Sequence, residues 1–483
     1  MESTVATLAK NLADTQTALN IVWTMVAAFL VMFMQAGFAL VETGLTRAKN
    51  VAHTMGMNFL VYAIGIIGFF VVGFGLQMGG VGAMGTFGGD ATLSKEFVVH
   101  LFGKDFGLFG MTGFLLHPLS TFTPAVAAMF LFQMVFMDTT ATIPTGACAE
   151  RWKFSSFVLF SFVIAMLIYP IYANWVWGGG WLSQLGANFG LGNGHVDFAG
   201  SSVVHLTGGV IALTLGKMIG PRIGKYGADG RVNPIPPHNI PQVMIGTFIL
   251  AFGWFGFNAG STLAGMDTRL AIVAVNTMIA GATGAFSAYL YVKARWGKAD
   301  PSWLANGMLA GLVAITAPCA FVSAWAAAVI GAVAGVLVIV AAVFIDTKLR
   351  IDDPVGASAV HGVNGAWGIV ALGLFANGTY GQGLNGVASG VTGLLYGNPG
   401  QLVASVIGVL ANVAWVAPVA ALAFYVIGKI VGNRISAEDE VNGADLGEMG
   451  VLGYDFGGGA THGVSTTPST KPAAATVPSL ATK

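Results

Sequence analysis

Two stretches decide the reading of this chain: "DFAGSSVVHLTGG" at 197–209 and "DPVGASAVHGVNG" at 353–365. In each, an aspartate stands eight residues before a histidine, and Gly200 and Gly356, Ser202 and Ser358, Val204 and Val360 fall at matching offsets. Both histidines, His205 and His361, sit inside apolar runs. Ionisable groups are expensive in such a setting and usually mark an ion or proton path.

The surrounding chain is strongly apolar. Its 483 residues are 55% hydrophobic and 9% charged, against about 25% charged in ordinary soluble domains. Apolar runs of roughly 20 residues recur, each long enough to cross the hydrocarbon layer as a helix and too long for barrel strands. Eleven spans are expected, at about 20–43, 55–79, 121–146, 155–176, 199–219, 241–262, 268–292, 302–320, 322–345, 356–377 and 401–431. The fold class is therefore all-α integral membrane. The 69 glycines suit close helix contacts in lipid.

Net charge is zero, which gives no reason to expect a nucleic-acid partner. Cys148 and Cys319 supply neither a disulfide framework nor metal-ligand spacing. Residues 1–19 lack the basic start and apolar core of a signal peptide, so no cleaved signal is expected. Alternate connections, beginning with Arg47 and Lys49, hold seventeen of the 21 basic residues; Lys10, Lys95, Lys104 and Arg269 lie on the other side. Basic residues favour the cytoplasmic face, which puts the N-terminus outside and the C-terminus inside.

Under that orientation the two Asp-to-His modules run through the bilayer in opposite senses. This is the trace of an inverted repeat, spans 1–5 against spans 6–10, with the substrate path at their interface. The expected organisation is an extracellular segment at 1–19, a first repeat at 20–219 and a second at 241–377. The eleventh span follows at 401–431, then a cytoplasmic tail at 432–483 that is disordered after about 457.

His53, His100, His117, His195, His238 and His462 are expected in connections or the tail, which leaves His205 and His361 as the histidines within spans. Neutral imidazole has one donor and one acceptor nitrogen, so two rings can share a proton and offer polar contacts in a narrow, dry passage. Two histidines without a third ligand make a poor metal site, and no cofactor is expected. Aromatic clusters accompany them: Phe132, Gln133 and Phe136 in "LFQMVF", Trp175, Trp177 and Trp181 in "NWVWGGGW", and Trp254, Phe257 and Ser261 in "WFGFNAGS". Trp175 and Trp181 fit an interfacial aromatic belt. The others could surround a cation through ring faces and a hydroxyl acceptor.

The combination resembles the Amt branch of the Amt/Rh/Mep ammonium transporters. The matching text is "MQAGFALVETGLTRAKN" at 34–50, "GACAERWKFS" at 146–155, "VWGGGW" at 176–181, "VDFAGSSVVH" at 196–205, "PHNIPQVMIGTFILAFGWFGFNAGS" at 237–261, "DDPVGASAVHG" at 352–362 and "RISAEDE" at 434–440. That resemblance implies an outer ammonium site of Trp177, Phe136 and Ser261 and a gate of Phe136 and Phe257. It implies a pore lined by His205, His361, Phe132, Gln133 and Trp254, with Asp197 and Asp353 as structural supports. It further implies a homotrimer in the cell membrane, of prokaryotic type, with a PII-type signalling protein as a partner at the inner mouth.

The chemistry suits such a task. An unpaired ion in a low-dielectric pore costs tens of kcal/mol by Born estimates. Ammonium can shed its proton and cross as ammonia, which sodium and potassium cannot do. A transporter rather than an enzyme is thus expected; an ammonium sensor of the same fold and a neutral gas channel of Rh type are the alternatives. Only about 50 residues follow the last span, fewer than a fused signalling domain would need. Two positions depart from the family pattern: Asp138 inside span three, expected to pair with a backbone or hydroxyl neighbour such as Thr139, with altered proton handling as the alternative, and Met449 in the tail, where the family often has histidine.

Overall fold

The computed structural model describes residues 2–383, 387 and 389–454. Among the described residues, ten apolar helices are long enough to cross a membrane. They are α1 (Thr4–Leu45), α2 (Ala48–Met78), α3 (Pro124–Cys148), α4 (Phe154–Trp177), α5 (Ser201–Ile219), α6 (Ile240–Thr262), α7 (Leu270–Trp296), α9 (Ala324–Leu349), α10 (Ser358–Phe375) and α11 (Pro399–Ile430). The eighth expected span is shorter: α8 is Pro301–Ile315, followed by a buried, turn-rich stretch at 316–322.

Local sequence sets several helix starts. Thr123, Asn239 and Asp300 each accept a backbone N–H as N-cap residues, with a proline in the first turn that follows. Proline is pre-organised for that turn, where its missing N–H has no helical partner to lose.

Two boundaries differ from expectation. The first helix is already formed at Thr4 rather than beginning near residue 20. Its polar start is rich in good helix formers and carries the ion pair Lys10–Asp14 at 2.8 Å, so it extends the apolar span without a break. The second helix begins about seven residues early, which puts His53 inside a span and fully buried. His205 and His361 are therefore not alone there. His53 is drawn in because the tail carboxylate of Asp445 accepts its backbone N–H at 2.9 Å, satisfying a helix terminus that would otherwise need water.

α1 packs along α6, α3 along α5, and α7 against α8 and α9. Small residues permit the first contact: a Cβ on Gly246 would come within 2.7 Å of the Gly37 carbonyl oxygen.

One end of the bundle carries an antiparallel hairpin, β1 (Glu96–Leu101) and β2 (Lys104–Gly110). Trp175 packs against Trp181 and Trp415 and donates its indole N–H to the Leu108 carbonyl at 3.0 Å, tying the hairpin to the end of α4. Glu96 accepts from Asn174 Nδ2 at 3.1 Å. Burial pushes its carboxyl up to about 7, an effect that the Asn174 bond partly offsets.

The opposite end holds a buried ionic cluster. Arg222 grips Asp352 with Nε and Nη2 at 2.8 and 3.0 Å and reaches Glu150 with Nη1 at 2.9 Å. Arg47 also pairs with Glu150. Burial would raise the Asp352 carboxyl, but the bonds and charge of Arg222, with Arg151 nearby, hold it well below the usual carboxylate range. The tail docks on this face. Its short helix α12 (Ala437–Asn442) is capped by Ser436, Arg434 pairs with Glu440, and Glu448 accepts the Phe154 N–H at 2.8 Å where α4 begins. The segment after about 457, expected to be disordered, lies outside the described residues.

Candidate functional site

The site is built by the two repeated modules. Asp197 Oδ1 accepts the N–H groups of Gly200 and Ser201, and its Oδ2 those of Ser202 and Val203, all within 3.0 Å. Asp353 does the same at matching offsets, taking Gly356 and Ala357 on Oδ1 and Ser358 on Oδ2, all within 3.1 Å. Gly200 (φ +115°) and Gly356 (φ +77°) adopt the left-handed backbone that each sharp entrance requires. Both carboxylates are thereby spent on helix N-termini, where an anion is favoured.

Each module continues into a wide π-turn, Ser201–Leu206 and Ser358–Val363, which carries the histidine. Such turns recur at functional sites. The two turns bring the rings together, His205 Nδ1 lying 3.2 Å from His361 Nδ1. One nitrogen of that pair must donate and the other accept, so the tautomers of the two rings are linked. His205 Nε2 is buried and has no hydrogen-bond partner among the described residues.

The pair sits within a column of rings. His361 lies 5.9 Å from Phe38 on one side. On the other, His205 stacks with Trp254 at 5.5 Å and with Phe257 at 5.4 Å. Phe257 stacks in turn on Phe136 at 4.2 Å and 27°. Phe136 meets Phe132 at 4.6 Å and Trp177 edge-on at 6.0 Å. Trp254 is fixed by an N–H bond to Thr316 Oγ1 at 3.0 Å.

Two cavities cap this column. Toward the hairpin end lies one of about 90 Å³, lined by Phe132, Gln133, Phe136, Trp177 and Ser261, among others. The Trp177 N–H is committed to the Asp197 carbonyl at 2.7 Å, and the Ser261 hydroxyl donates to the Phe257 carbonyl at 2.7 Å. The cavity is thus offered ring surface and a hydroxyl oxygen whose lone pairs are free, an arrangement suited to a small cation. Gln133 is held by Gln77 Nε2, which donates to its Oε1 at 2.7 Å. Toward the tail end lies a smaller cavity of about 20 Å³, bordered by His361, Phe38, Glu42, Asn306 and Val355.

The Ammonium Transporter Family profile matches residues 22–454. The chain belongs to that family. It is 44% identical over 439 residues to ammonium transporter Amt2 of Archaeoglobus fulgidus, covering 90% of this chain and 88% of the relative. With ammonium transporter Amt1 of Haloferax mediterranei the identity is 38%, over 93% and 83% of the two chains. Among solved structures, one described as a Sensor Amt Protein superposes with a TM-score of 0.79 at 35% identity, over 90% of this chain and 99% of that one. Mep2 of Saccharomyces cerevisiae gives 0.72 at 27% identity, over 88% and 89%. The chain is accordingly a multi-pass membrane protein of the ammonium transporter family.

All the residues that the family resemblance singled out fall on the column, its cavities or the two Asp caps. Asp138 behaves otherwise. It is buried on the face of α3 that looks toward Gly65 of α2, and its Oδ1 has no hydrogen-bond partner among the described residues. The expected pairing with Thr139 is absent because that hydroxyl donates to the Val135 carbonyl of its own helix at 2.9 Å. Met449 reaches back to α2: a Cβ added on Gly56 would lie 2.7 Å from its terminal methyl carbon.

Sequence reasoning missed Glu42. It is 3% exposed, in the last turn of α1, and accepts from Asn58 Nδ2 at 2.9 Å and from the Thr145 hydroxyl at 2.8 Å. A carboxylate inside the apolar run "FALVETGL" was the available signal. The Arg222–Asp352–Glu150 cluster was also missed, and no local pattern announces it.

Proposed function

We propose that this protein moves ammonium across a cell membrane by deprotonating it. Ammonium is drawn into the hairpin-end cavity by the Trp177 and Phe136 rings and by the Ser261 oxygen. The stacked Phe136 and Phe257 gate opens to admit it, the proton is released to His205, and ammonia continues along Trp254 and the histidine pair. The histidines carry the proton separately. The observation that supports this most is the 3.2 Å contact between His205 and His361 directly below a closed aromatic gate. A bare cation there would face a desolvation cost of tens of kcal/mol by Born estimates, whereas ammonia would not.

In this reading the hairpin end is outside, the basic tail end is cytoplasmic, and the two five-helix halves form an inverted repeat. The membrane is the plasma membrane of a prokaryote. The protein works as a homotrimer, consistent with apolar side chains exposed on the adjacent helices α1 (Phe29, Phe33) and α6 (Ile245, Phe248, Phe252). A PII-type protein is the partner proposed for the tail face.

The test is electrophysiology on proteoliposomes. Wild-type protein is expected to give an ammonium-dependent current, and His205→Ala or His361→Ala to abolish it or to let other cations leak. Lumenal alkalinisation by ammonia without any current would favour a neutral gas channel. Binding of ammonium with neither flux nor current would overturn transport in favour of sensing.

A further inference from the structure

We propose that Glu42 is the proton acceptor on the tail side of the histidine pair. This rests on the deprotonation reading above and adds the group that completes its proton route. Three observations carry it. First, Glu42 and His361 border the same small cavity, and Glu42 supplies its one carboxyl among the described lining residues. Second, the cavity measures about 20 Å³. About 10–15 Å³ of such space holds one water, which also needs polar partners; His361, Glu42 and Asn306 supply them. Third, Glu42 is buried in a setting built for it, with donors from α2 (Asn58) and α3 (Thr145) converging on its oxygens.

The step balances as a relay of one proton. An N–H bond of ammonium breaks as His205 Nε2 takes the proton, leaving neutral ammonia. His205 passes its Nδ1 proton to His361 Nδ1. His361 then releases a ring proton to the bridging water, which gives one up to a Glu42 oxygen. The imidazoles end neutral, the water is restored, and Glu42 becomes a carboxylic acid. No electrons are transferred. Arg47, five residues along the chain and partly exposed, pairs with Glu150 at the tail end of the bundle.

A purely structural role for Glu42, as a tie between α1, α2 and α3, makes a different prediction. The experiment compares wild type, Glu42→Gln and Glu42→Asp in proteoliposomes, reading ammonium-evoked current and ammonia-driven lumenal alkalinisation side by side. Glu42→Gln keeps the shape and an acceptor oxygen but has no titratable group. It is expected to lower the current at least tenfold while leaving alkalinisation within about twofold of wild type. Glu42→Asp is expected to restore a substantial part of the current. An undiminished current in Glu42→Gln, or parallel loss of current and alkalinisation, overturns the proposal. If Glu42→Gln does not fold, Thr145→Val removes a donor from the carboxylate and should lower current selectively; an unaltered current there overturns it equally. Absence of current in wild type would defeat the deprotonation reading itself, and the Glu42 role with it.

Discussion

Gly209 of α5 stands directly against Gly362, the residue after His361: a Cβ on Gly209 would lie 2.1 Å from the Gly362 backbone nitrogen. Backbone meets backbone at this point, so the separation of the two histidine-bearing segments is set without any intervening side chain. Gly209→Ala should force them apart, with an overpacking cost of about 1–3 kcal/mol. We expect the ammonium-dependent current to be lost even where folded protein is recovered, as checked by liposome electrophysiology alongside thermal unfolding.

Trp177 offers its ring to the hairpin-end cavity while its N–H is engaged elsewhere. Trp177→Leu keeps apolar bulk and removes the cation–π attraction, worth about 0.5–2 kcal/mol. The half-saturating ammonium concentration should rise roughly 2- to 30-fold. The maximal current should change far less, because the gate and histidines are untouched.

Asp352 is gripped by two nitrogens of Arg222 in a buried setting. Removing one partner of such a pair typically costs about 3–5 kcal/mol. Asp352→Asn should therefore lower the unfolding temperature clearly. The folded carboxyl sits below its ordinary value of 3.8, so the folded state binds fewer protons there. The stabilisation is complete above that value and is lost as pH falls through the folded one; the variant should lack this acid-side loss.

Glu96 has the opposite sign. Its carboxyl is raised from 4.5 to about 7, so the folded state holds its proton more tightly than the unfolded chain. This favours folding fully below about pH 4.5 and is progressively lost as pH rises toward 7. Thermal unfolding of Glu96→Gln between those values should show a flatter pH dependence than wild type. A parallel pair of curves would rule out Glu96 as the source.

Much of this architecture was legible because lipid imposes one rule, that long apolar runs become helices. Ten of the eleven expected segments coincide with apolar helices long enough to cross a membrane among the described residues, the eighth being shorter, and the repeated Asp-to-His text marks two turns of the same build. What escaped was of other kinds. The polar start of α1 follows helix propensity rather than hydropathy. His53 lies within a span because Asp445, nearly four hundred residues away, completes its helix terminus. Asp138 lost its expected partner to competition from Thr139's own helix backbone. Arg222, Glu150 and Asp352 are joined only by folding, and a lone Glu42 in an apolar run shows a cost without showing what compensates it.

The stacked pair of Phe136 and Phe257 has a kinetic meaning as well. With ring centroids 4.2 Å apart, the path between the cavity and the histidines is shut in the resting structure. On the proposed transport route, each molecule that passes waits for a side-chain excursion within a close-packed interior. Throughput is then governed by how often a ring swings aside rather than by how fast a solute diffuses. Such a protein counts its cargo through a turnstile, and warming should quicken it more steeply than it would an open channel.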